Sequence, residues 1–62
     1  MSPDEVENTV KRLCAEANVQ RDDRRQFYYL QLRLREFLQE HMDVFKSMSD
    51  DTFNALRKVW GL

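Results

Sequence analysis

The sequence predicts an all-α fold of three helices, short–long–short, with the two short helices folded back on a long central one. Three observations predict it. The stretch from Asp22 to Lys46, DDRRQFYYLQLRLREFLQEHMDVFK, holds no Gly or Pro and is rich in good helix formers. Within it, at about 100° per residue, Phe27, Leu30, Leu34, Phe37, Leu38, His41, Val44, Phe45 and Met48 share one stripe roughly 120° wide, the width of a core-facing seam. Both flanks carry helix-start signals followed by apolar residues at helical spacing.

The first helix is predicted over Met1 to Asn18. Ser2 with Glu5 three residues on forms a capping box, and Pro3 falls at the first helical position, where its missing N–H costs nothing. Asp4, Glu5 and Glu7 put negative charge at the positive end of the helix. Val6, Val10, Leu13, Cys14 and Ala17 make a narrow stripe of mostly small residues, which permits close approach to a neighbour.

Asn18 to Arg21 is the first connection, with Asp22 or Asp23 as cap of the central helix. So short a link makes its helices antiparallel neighbours. Unbroken, the central helix of about 25 residues would be about 37 Å long. Met48 to Asp51 is the second connection. Ser49 caps the third helix and Met48 with Phe53 staples it. Phe53, Leu56 and Trp60 repeat at helical spacing, Val59 lies beside them, and Gly61 is a natural stop.

Sixty-two residues form one domain, 1–62, and a chain this short is marginally stable. Cys14 is the only cysteine, so no disulfide within the chain supports the fold. Each half of a straight central helix would have one covering partner, and a two-helix layer cannot enclose Phe27, Leu30, Phe45 and Trp60. A second chain or another protein is expected to complete the core. The alternative is a monomeric three-helix bundle in which the central helix bends or breaks near His41–Asp43.

The net charge of −1 favours neither nucleic acid nor membrane, but its distribution is uneven. Residues 20–35 carry Arg21, Arg24, Arg25, Arg33 and Arg35 against Asp22 and Asp23, whereas both flanks are acidic. Arg21, Arg24, Arg25, Tyr28, Leu32 and Arg35 fall on the face opposite the apolar stripe, and Gln39, Met42 and Lys46 continue the line. Arg and Tyr are enriched in interfaces. Arg21, Arg24, Arg25, Tyr28, Leu32, Arg35 and Met42 are therefore the candidate partner-binding residues.

Catalysis has little to build on. His41 lies in the middle of the apolar stripe, where a buried, hydrogen-bonded residue is the ordinary reading, and no second His or Cys stands at ligand spacing for zinc. Glu36, Glu40 and Asp43 read as a solvated face, with Arg33 at pairing distance. Cys14 reads as packing, since nothing marks a base for it. No enzyme, cofactor, metal or small-molecule substrate is expected. With no membrane-length apolar run and no leader, the expected compartment is cytoplasm or nucleus.

The short–long–short order, with the tail SMSDDTFNALRKVWGL, resembles a histone fold in outline, and that resemblance implies completion by dimerisation. The central helix is roughly two turns shorter than in that family, and the connections are tighter. The functional expectation is a non-enzymatic helical interaction module, regulatory in kind, that forms a homodimer or docks on a larger protein. The alternative is a nucleic-acid-binding transcriptional regulator using the same Arg and Tyr face.

Overall fold

A computed structural model describes residues 1–62 as four helices: α1 (Pro3–Val19), α2 (Arg24–Glu40), α3 (Met42–Phe45) and α4 (Asp50–Trp60). The chain is all-helical, as expected, but the short–long–short arrangement is not what it adopts. α1 and α2 are each 17 residues long, and the predicted central helix breaks at His41. There the backbone turns to φ −124° and ψ 42°, and the His41 N–H is shared between the carbonyls of Phe37 and Leu38, both at 3.2 Å. The longest dimension is 31 Å, below the roughly 37 Å of an unbroken helix. The histone-like outline fails with it.

Local preference does not explain the break, since no Gly or Pro lies near it. Burial does. A straight helix would carry Val44, Phe45 and Met48 beyond the reach of α1. Folding back after Glu40 buries Met48 and half-buries Val44 and Phe45. Tertiary packing, not propensity, supplies most helical stability.

The core is centred on α1. Val6, Val10, Leu13, Cys14 and Ala17 are all buried, and α2, α3 and α4 each pack against α1. Leu30 and Leu34 enter from α2, Met48 from the second connection, and Thr52, Leu56 and Val59 from α4. The expected hub was the central helix. The small-residue face of α1 takes that place because it lets three elements approach it closely.

The caps follow local chemistry at three helix ends. The Ser2 side chain accepts from the Glu5 N–H and the Asp23 side chain from the Gln26 N–H. Gly61 adopts the left-handed conformation at φ 70°, with Leu62 N–H donating to Arg57 O and Gly61 N–H to Lys58 O. That pair of bonds is a Schellman ending.

The start of α4 is different. Ser49 makes no cap of its own. Instead Glu7, from α1, accepts from the Ser49 N–H at 3.0 Å, from the Ser49 hydroxyl at 2.6 Å and from the buried Thr52 hydroxyl. One carboxylate thus caps α4 across the bundle. These donors hold the Glu7 carboxyl at about 2, below its ordinary 4.5, with the Ser49 hydroxyl the largest cause. At the other end Arg21 donates to Lys58 O and Gln31 to Val59 O at 3.1 Å. Both ends of α4 are therefore held by side chains of other segments.

Candidate interaction surface

The predicted arginine–tyrosine face lies on the exposed side of α2. Tyr28 is 63% exposed and Leu32 39%, and Arg24, Arg25 and Arg35 are exposed beside them. Met42, 48% exposed, continues the line past the break. Arg21 stands apart. Its guanidinium is committed to Asn18 Oδ1 at 3.0 Å and to Lys58 O, and it stacks 5.1 Å from the Phe27 ring centre. It joins the first connection to the end of α4. Arg57 and Arg21 are the arginines engaged in side-chain hydrogen bonds, so Arg24, Arg25 and Arg35 stay open to a partner.

Sequence reasoning missed a second feature beside this face. Leu38, Phe45, Phe53, Leu56, Arg57, Trp60 and Leu62 line an open hollow of about 290 Å³ between α4 and the far end of α2. Six of these seven residues are apolar. Phe45 and Phe53 meet edge to face, with centroids 5.4 Å apart, and both stay half-buried. Trp60 is 39% exposed. Phe45 and Trp60, expected to be incompletely enclosed by the chain's own helices, are so, and Phe53 joins them. They lie along the open seam of the core, because α1 is the common packing partner and α2 and α4 are not closed over each other. Leu30, expected to be left uncovered, is buried. The legible signal was the surplus of apolar surface, Phe45 and Trp60 within it, that two covering helices cannot enclose.

The two features adjoin. Starting from the core-facing Leu34, about 100° per residue carries the α2 surface through Leu38 and Gln31, then Arg24 and Arg35, then Tyr28 and Leu32. Gln31 reaches α4 and Leu38 lines the groove, so this is the α4 side of α2. The carboxylates of α2 lie on the opposite flank. Glu36 and Glu40 line a separate hollow of about 190 Å³ with Arg33 and with Thr9 and Arg12 of α1.

His41 and Cys14 both belong to the packing of the bundle. His41 is half-buried, its ring 4.5 Å from that of Phe37, and so is not the fully buried core residue expected. Cys14 is buried, and burial pushes its thiol up to about 11. A thiol so placed is a poor nucleophile at neutral pH. No cluster of three or more His, Cys, Asp or Glu is arranged to hold a metal ion, and no helix is long and apolar enough to cross a membrane. No family model, curated protein or solved structure matches the chain.

Proposed function

We propose that this chain is a non-enzymatic helical interaction module that binds protein, either a second copy of itself or a larger partner. The observation that carries the reading is the open seam of Phe45, Phe53 and Trp60, with the exposed Tyr28 and Leu32 on the adjoining turns of α2. Aromatic side chains half in water beside unpaired arginines have the composition of a binding hot spot. A groove lined by apolar side chains between two helices is also a recurring receptor for a third.

Replacing Tyr28 and Leu32 together by Ala should abolish partner capture and leave the helical circular dichroism unchanged, since neither side chain is buried. Undiminished binding would remove this face from the reading. Light scattering across a dilution series separates self-association from docking on another protein. The second reading, nucleic acid held by Arg24, Arg25 and Arg35 with Tyr28 stacked on a base, predicts binding that falls steeply with salt. An apolar interface loses little.

A further inference from the structure

We infer that the groove between α2 and α4 takes an acidic amphipathic helix of another protein, rather than a second copy of this chain. The inference deepens the interaction-module reading and rests on it.

Shape and chemistry set the class of ligand. The groove runs beside α4, whose 11 residues span about 16 Å. That length matches three turns of a helix presenting apolar residues at i, i+4 and i+7. The wall is apolar except for Arg57, whose guanidinium bonds to Asn54 Oδ1 at 2.9 Å.

Charge decides between occupants. The α2 rim carries Arg35, one turn from Leu38, and the α4 side carries Arg57. The carboxylates of α2, Glu36 and Glu40, are turned to the other flank with Arg12 and Arg33. At the far end Lys46, after Phe45, and Asp50, in the first turn of α4, offset each other. The net rim is positive, so it complements a helix with Asp and Glu beside its apolar anchors.

A second copy fits poorly. A two-fold dimer sets the same patch against itself, which here brings the positive rim of Arg35 and Arg57 against an identical positive rim. The chain's own acidic helix is α1, with Asp4, Glu5, Glu7 and Glu16. Its apolar residues Val6, Val10, Leu13 and Ala17 are already buried, so α1 cannot be lent to a neighbour without unfolding.

Trp60 is the single tryptophan and lines the groove, so it reports occupancy directly. The probes are two Trp-free synthetic helices of about four turns with identical Leu anchors, one flanked by Glu and its twin by Lys. At low ionic strength the Glu peptide should bind saturably, shift Trp60 emission to the blue and bind about tenfold or more tighter than the Lys twin. Added salt should narrow that gap. The paired substitutions Arg35→Glu and Arg57→Gln, both at exposed positions, should erase the preference.

Equal binding of the twins, or tighter binding of the Lys peptide, would overturn the acidic-helix inference while leaving the groove a docking site. Silence of Trp60 towards both peptides, with a dilution series showing a dimer that buries Trp60, would make a second copy the occupant and overturn the inference alone. Silence towards both in a chain that stays monomeric would overturn the inference and take the groove out of the proposed function.

Discussion

Glu7 shows how much a single side chain of this small protein holds. Its carboxylate gathers two donors from Ser49 and one from Thr52, taking the place of the local cap that α4 lacks. Its folded value is depressed from 4.5 to about 2, so the charged form is favoured by folding. The stabilisation is fully present well above pH 4.5, fades as pH falls from 4.5 towards 2, and is gone only below pH 2, where folded and unfolded chains both carry the proton. Glu7→Gln should lower the melting temperature at pH 7 and flatten its pH dependence between 4.5 and 2. Thermal melts at closely spaced pH values check this, and an unaltered acid limb in the variant would mean that other carboxylates control it. Nothing in the spacing of Glu7, Ser49 and Thr52 makes this cluster legible, because the partners are more than 40 residues apart and meet only once α1 and α4 pack.

Among the elements, α4 and the break after α2 hold the contrast between local and non-local causes. Gly61 ends α4 in the left-handed conformation, and a Cβ added there would meet nothing within 4 Å. The cost of Gly61→Ala is therefore backbone strain alone, about 1–2 kcal/mol. It should appear as a lower melting temperature and faster amide exchange over the last turn of α4. The Ser2, Asp23 and Gly61 caps were legible in the sequence because each needs only residues within a turn of it. The break at His41 was weighed only as the alternative to a continuous helix. Nothing within a turn of it forbids helix, and the burial of Met48 that drives it depends on where α1 lies.

For the whole molecule, only 11 of 62 residues are buried, so each core side chain carries a large share of stability. Leu34 is the largest fully buried one and sits where α2 meets the core. Leu34→Ala should cost about 2–5 kcal/mol, against a total of roughly 3–9 kcal/mol for a chain of this size. Urea titration should show the midpoint falling by a large fraction, and Leu34→Asp should leave no folded population. The radius of gyration, 11.1 Å, is close to the roughly 10.6 Å expected of a compact chain of this length. Compactness and an open apolar seam therefore coexist here, because α2, α3 and α4 each pack on α1 and leave the α2–α4 side uncovered.

Taken alone, the sequence determined that the chain is helical, where its first and last helices start and stop, which α1 and α2 residues turn inward, and that Tyr28, Leu32 and the arginines beside them face water. Those outcomes depend on periodicity and on hydrogen bonds spanning three or four residues, and both can be read along the chain. Only the tertiary structure decided that α1 is the hub, that the central helix ends at Glu40, that Glu7, Arg21 and Gln31 cap α4 from outside, and that Phe45, Phe53 and Trp60 border an open groove. These depend on which faces win burial when the helices compete for one small core, a free-energy difference summed over residues far apart in the chain.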